Sequence, residues 1–213
     1  MTTDAQQDGE QDGPLRQRKK DRTHAALVRE AMRLFSTYGY EETSVDEIAE
    51  AAQISRRTLF RYFPGKADII LAWTNGVTTI LTDAIRAVPL DVPLQDAVLA
   101  GLVPVVACYS SDRMDAYAVV RLVEQTPALR DMALRRYSEW EETLASTLIA
   151  RLPATEMPSL VARLLARTAI ATFRTALDEW VKTEGRSDLE TILRRTFTLQ
   201  PLLWQNDFPM SSG

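Results

Sequence analysis

One run of hydrogen-bonding side chains set among apolar residues is Ser55-Arg56-Arg57-Thr58-Leu59-Phe60-Arg61-Tyr62, followed four residues on by Lys66. A guanidinium presents a planar fork of N–H donors. That fork matches guanine O6 and N7 in a DNA major groove, a pairing worth about 1–3 kcal/mol of discrimination. A hydroxyl at Thr58, a phenol at Tyr62 and an ammonium at Lys66 suit successive phosphates instead, each neutralised phosphate adding about 0.9 to the salt slope of binding. Arg56 and Arg57 are both candidates for the base edge, and either one can be the phosphate ligand. The same residues also fit a solvated helix face, and Tyr62 alone fits half-buried packing.

Bond-making chemistry has little to work with. One cysteine, Cys108, and one histidine, His24, exclude an intrachain disulfide, multi-cysteine metal sites and most nucleophile-histidine triads, so neither metal nor cofactor is expected. No phosphate-binding glycine loop, HExxH or Gly-x-Ser-x-Gly signature occurs. The alternatives to a DNA-binding role are a ligand-binding or protein-interaction module without operator binding, and a small-molecule enzyme.

The elements that must position the arginines follow from pattern and charge. The 213 residues carry a net charge of -4, unevenly spread: residues 1–15 hold four acids and no base, and residues 16–66 hold eleven Lys or Arg against seven Asp or Glu. An acidic excess returns beyond them. The reading is a disordered acidic tail over 1–15, a basic DNA-binding domain over 16–66 and a larger domain over 67–213. No stretch has the length and apolarity of a membrane span and the first 25 residues have no apolar signal core, so a cytoplasmic protein is expected.

Leu27, Val28, Ala31, Leu34, Phe35 and Tyr38 form one helical stripe, and Gly39 stops it. Ser44 with Glu47 reads as a capping box, with Thr43 as a competing cap; Gln53 and Ile54 make a turn; Ser55 caps the arginine-bearing helix, which Pro64 and Gly65 end. Long helices are expected over about 66–88, 93–110, 115–125, 127–151, 157–184 and 188–199, the last opened by a second box, Ser187 with Glu190. The expected fold class is all-α, with an N-terminal three-helix helix-turn-helix domain and a larger C-terminal helical domain.

The segment Ala26–Ile70, ALVREAMRLFSTYGYEETSVDEIAEAAQISRRTLFRYFPGKADII, resembles the DNA-binding domain of TetR-family transcriptional regulators. The Gly-Tyr turn, Thr-Ser-Val cap, Ala-Ala turn, Arg-Thr-Leu run and Tyr-Phe-Pro-Gly-Lys ending occur together and in register. The resemblance implies DNA contacts at Ser44, Arg56, Arg57, Thr58, Phe60, Tyr62 and Lys66, with a basic arm around Arg18 and Lys19. Phe60 departs from the tyrosine of many members and offers only apolar contact.

The resemblance further implies that the body binds an effector and dimerises. RLVEQTPALRDMALRRYSEWEETLASTLIARL from Arg121, with RTALDEWVKTEG from Arg174, is similar to the C-terminal domain of a subgroup that includes mycofactocin-type and acyl-CoA-responsive regulators. The expected partners are a double-stranded DNA operator, a small hydrophobic or acyl-CoA-like effector and a second copy of the chain. Tyr109, Tyr117, Arg121, Trp140 and Arg167, with Cys108 and Thr168 nearby in the pattern, are the candidate ligand residues, although ordinary core packing accounts for each aromatic equally well. Arg121 can anchor an anion or pair with Glu124. A helix over 157–184 that is apolar on two faces needs two partners, and Phe173, Leu177 and Trp180, with Leu189 and Leu193, are the expected dimer contacts. A rigid helix from Lys66 to Val88 would link the two domains in a repressor released by its effector.

Overall fold

Tyrosine at position 38 ends the first helix, and glycine at position 39 turns the chain away from it. The computed structural model describes residues 12–74, 76–110, 113–153 and 156–204. Among them there is no strand: the elements are helices, and the chain separates into two compact units, 1–74 and 75–213. Of the tail expected over 1–15, residues 1–11 lie outside the described residues.

In the first unit, helix α1 spans Asp12–Tyr38. It starts earlier than the expected disorder allows. Pro14 falls in the first turn, where a helix needs no N–H donor, and Gln17 Nε2 donates to Asp21 Oδ1 at 2.8 Å one turn on. Leu27, Ala31, Leu34 and Phe35 are buried as the stripe requires, whereas Tyr38 is 63% exposed. The last turn carries it past the edge of the packed face. Gly39, at φ 97°, ends α1, and its carbonyl accepts from Thr43 Oγ1 at 2.7 Å, so Thr43 secures the turn and leaves the cap to Ser44.

Helix α2 (Val45–Ala51) opens with the expected box: Ser44 Oγ accepts from the Glu47 N–H at 3.2 Å while Glu47 Oε2 accepts from the Ser44 N–H at 2.7 Å. Those bonds from the Ser44 backbone, then from its hydroxyl, hold the Glu47 carboxyl below its ordinary pKa. Gln53 makes the turn at φ 55°, and Ser55 Oγ accepts from Thr58 N at 3.1 Å to start α3 (Arg56–Tyr62). Leu59 and Phe63 pack inward. Helix α4 (Lys66–Leu71) buries Ile69, Ile70 and Leu71 and packs on α1, which is why the compact unit extends to Thr74 rather than ending at Lys66.

A single helix over 66–88 does not form. After α4 come a short 3-10 turn, Ala72–Thr74, and Gly76 at φ 88°, before α5 (Val77–Ala87) begins. The left-handed backbone at Gly76 cannot continue a right-handed helix.

The second unit continues with α6 (Leu94–Ser110), α7 (Arg113–Gln125), α8 (Pro127–Leu148), α9 (Pro158–Lys182) and α10 (Leu189–Leu199). Its core lies where α8, α10 and α7 pack on α9 and α5 packs on α6 and α8. Arg151 ties down the C-terminal end of α5: Nη1 donates to Val88 O at 2.6 Å and Ile85 O at 3.3 Å, and Nη2 to Pro89 O at 2.5 Å, satisfying carbonyls at and just beyond the helix end. The cap of α10 is Asp188, whose Oδ2 accepts from Thr191 N at 2.8 Å; Ser187 instead offers its carbonyl to Trp180 Nε1 at 3.1 Å. The carboxylate one residue later is the stronger acceptor, so the expected Ser187–Glu190 box is absent.

Candidate nucleic-acid interface

The capped start of α3 leaves Arg56, Arg57 and Phe60 exposed, with Thr58 and Tyr62 half-buried. The structure therefore brings five of the expected contacts onto one short helix. Arg57 has no ion pair among the described residues, whereas Arg56 Nη1 lies 3.0 Å from Asp46 Oδ2 and its guanidinium sits over the Phe60 ring, 5.4 Å from the centroid. The Thr58 hydroxyl shares a 2.9 Å hydrogen bond with Ser55 Oγ, and Arg61 lies over the Tyr62 ring at 5.5 Å. Ser44 is exposed at the α2 cap, its hydroxyl donating to Glu47 Oε2 at 2.8 Å.

Lys66 is placed differently from the expected phosphate ligand. Its Nζ donates to Tyr40 O at 2.5 Å, approaches Glu41 O at 3.4 Å and sits 4.1 Å from the Tyr40 ring centroid. A half-buried ammonium held by two carbonyls and an aromatic face is a tether between α4 and the α1–α2 turn. Arg18 is exposed on α1; Lys19 lies on the same helix, its side chain outside the description. The sequence reading missed Asp46 and Tyr40, the partners of Arg56 and Lys66. The only signal for Asp46 was its position at the start of the preceding helix.

The ligand candidates separate. Tyr117 and Arg121 line a cleft of about 660 Å³ with Glu124, Gln125, Val181, Lys182 and Glu184, within the usual range for small-molecule sites. Glu124 pairs with Arg130 at 3.8 Å rather than with Arg121, and Arg130 also donates to the Glu124 carbonyl. Tyr109 and Trp140 are buried with Phe173, at ring separations of 5.8 and 6.2 Å from it, and Arg167 is 70% exposed beside Glu141 at 3.7 Å. These three do not reach the cleft. Cys108 is half-buried, its thiol donating to Pro104 O at 3.4 Å, and Thr168 borders a smaller, mainly apolar pocket of about 150 Å³ among α6, α9 and α10.

The expected dimer contacts require correction. Phe173, Leu177, Trp180, Leu189 and Leu193 are all at most 4% exposed within one chain. The more apolar face of α9 turns into its own core. The face left outside carries Leu160 and Leu164, 49% and 65% exposed, followed by Thr168, Ala171 and Thr175 at helical spacing. Among the described residues no group of His, Cys, Asp and Glu could hold a metal ion, and no helix is long and apolar enough to cross a membrane.

Two short helices joined by a tight turn, the second capped and carrying exposed arginines, form a helix-turn-helix DNA-binding module. Residues 27–73 match the model of bacterial regulatory proteins of the tetR family, and residues 92–200 match the MftR C-terminal domain. The chain belongs to the TetR family and is an all-α DNA-binding transcriptional regulator. It is 37% identical over 147 residues to the transcriptional regulator TcmR of Streptomyces glaucescens, covering 65% of each chain, just under two thirds of that relative's length. It is 28% identical over 177 residues to MftR of Mycobacterium tuberculosis, a regulator ascribed to mycofactocin biosynthesis, covering 82% of this chain and 88% of that one. Among solved structures it resembles NalD, a repressor of a multidrug efflux pump in Pseudomonas aeruginosa (TM-score 0.60, 19% identity, 88% of this chain and 96% of that chain). It also resembles Bacillus subtilis FadR in complex with stearoyl-CoA (TM-score 0.58, 16% identity, 82% and 96%). At these identities the structural likeness shows the fold.

Proposed function

We propose that the chain is a homodimeric, cytoplasmic repressor that reads a palindromic DNA operator through α3 and leaves it when a small hydrophobic effector binds the second unit. The observation that carries the reading is the exposure of Arg56 and Arg57 on the first turn of a capped recognition helix, with the packing residues Leu59 and Phe63 turned inward. One such helix reads few bases, and two related by a dyad read half-sites about 34–36 Å apart, so dimerisation is part of the reading. The outward face of α9, with Leu160 and Leu164, is the surface assigned to it.

The effector is assigned as an acyl-CoA-like amphiphile. Support comes from the fold shared with FadR proteins solved with lauroyl-CoA and stearoyl-CoA, and from a cleft in which Tyr117 and Val181 stand among two cations, Arg121 and Lys182, and two carboxylates, Glu124 and Glu184. A coupling of about 1–3 kcal/mol between effector and operator changes DNA affinity about 5- to 150-fold, enough to switch a promoter.

Gel retardation with the DNA upstream of the chain's own coding sequence tests the reading. The double variant Arg56→Ala plus Arg57→Ala abolishes the retarded band with dimer mass unchanged. Undiminished binding by that variant would remove α3 from the interface. A ligand-binding or interaction module without operator binding would show no retardation with the parent either.

A further inference from the structure

The two arginines at the head of α3 are not equivalent, and their difference assigns their roles. Arg56 is held on two sides, by the Asp46 carboxylate at 3.0 Å and by the Phe60 ring one helical turn on, with 5.4 Å between guanidinium carbon and ring centroid. Arg57 is exposed and has no ion pair among the described residues. The Arg56–Asp46 pair is itself 63% and 62% exposed, a setting in which an ion pair adds little to folding stability. It joins α2 to α3 across ten residues of sequence, at the surface where DNA is read in the function proposed above.

We propose that Asp46 is a specificity-determining positioning residue: together with Phe60 it braces the Arg56 guanidinium as the guanine-reading group, and Arg57 is left to the phosphates. The inference rests on the operator-binding reading. Its chemistry follows from the donor set. Arg carries five N–H donors in a fixed plane, and with Nη1 given to Asp46 the remaining edge of Nε and Nη2 still offers two parallel N–H bonds. Two parallel donors match guanine O6 and N7. A guanidinium already fixed in plane and direction rejects a misplaced acceptor that a free one would follow. The ring of Phe60 supplies the second wall, a role that does not need the hydroxyl a tyrosine would add. The carboxylate also discourages Arg56 from turning to a phosphate, since Asp46 repels the phosphate that would have to approach. Arg57, unbraced, can follow the backbone of any sequence.

The test uses the full chain and a pool of duplexes randomised across the operator, followed by competition of selected sites against bulk duplex. The parent enriches a guanine at a defined position. Asp46→Asn and Asp46→Ala lose that preference by about fivefold or more, with melting temperature and preferences at other positions retained and binding to bulk duplex retained or tightened, and Phe60→Ala loses the same guanine preference. Arg57→Ala keeps the guanine preference, weakens all duplexes alike and lowers the salt slope by about 0.9. An Asp46→Asn protein with the parent's guanine preference, or one that gains affinity for every duplex equally, would overturn the inference while leaving the regulator reading intact. A parent that enriches no sequence overturns both.

Discussion

A methyl group on Gly101 would lie 2.4 Å from Ile85 Cγ1 and 2.8 Å from its Cδ1. Helices α5 and α6 therefore meet where only a hydrogen fits. Gly in a helix interior normally costs about 0.5–1 kcal/mol relative to Ala, so Gly101 is retained against propensity by this contact. Gly101→Ala is expected to lower stability by about 1–3 kcal/mol in denaturant unfolding, because Ile85 is fully buried and has nowhere to retreat. The double variant with Ile85→Ala should lose less than the two single effects together. Strict additivity would show that the two residues do not collide.

Alkaline pH should unfold the second unit in part through Tyr137. Burial, reinforced by Glu124 and Asp178 and opposed by Arg174, pushes its phenol up to about 12. Burial raises the fully buried Tyr109 in the same direction. A phenol with a raised folded-state pKa binds its proton more tightly in the native chain. Its contribution is complete below the unfolded value of about 10 and is lost as pH climbs towards the folded value. Tyr137→Phe should flatten the fall of denaturant midpoint between about pH 10 and 12, and Tyr109 should leave a residual slope. An unchanged alkaline profile would mean that Tyr137 titrates normally.

Lys66 gives a clean contrast between a structural tether and a phosphate ligand. Removing an ammonium that donates to Tyr40 O leaves a carbonyl unpaired and a ring uncovered. Lys66→Ala should therefore destabilise the first unit by about 1–3 kcal/mol while the slope of log K against log salt stays at the parent value. A slope smaller by about 0.9 with stability unchanged would return Lys66 to the DNA backbone.

Local signals were readable where they depended on neighbours in sequence. Ser44 with Glu47, Ser55 with Thr58 and the stop at Gly39 each involve partners within four residues, and each forms as its residue types require. Less was readable where the outcome depended on competition. A single helix from Lys66 to Val88 was expected, yet a left-handed backbone at Gly76 breaks it. Among the site residues, exposure of Arg56 and Arg57 followed from the cap, whereas their inequality did not. Asp46 reaches Arg56 only after the turn has folded α2 against α3, and no local spacing encodes that approach. The cleft at Tyr117 and Arg121 was half legible, since Val181 and Lys182 close it from a helix some sixty residues away.

The same limit explains the misplaced dimer face and supplies a sharp test of its replacement. A helix apolar on two sides does not say which side its own core will claim. On α9 the core takes Phe173, Ala176, Leu177 and Trp180, and the solvent side keeps Leu160 and Leu164 with small residues beyond them. Leu164 is 65% exposed, so Leu164→Glu should leave helicity and melting temperature of the isolated chain near the parent's. If the outward face joins two copies, each dyad-related contact receives a charge in an apolar setting, and sedimentation should show mass falling to that of one chain. Operator affinity should fall with it, because half-sites are then bound singly, and Phe173→Leu should show the opposite pattern of lost stability with dimer mass kept. A Leu164→Glu protein that remains dimeric and binds the operator normally would put the dimer contact on another surface.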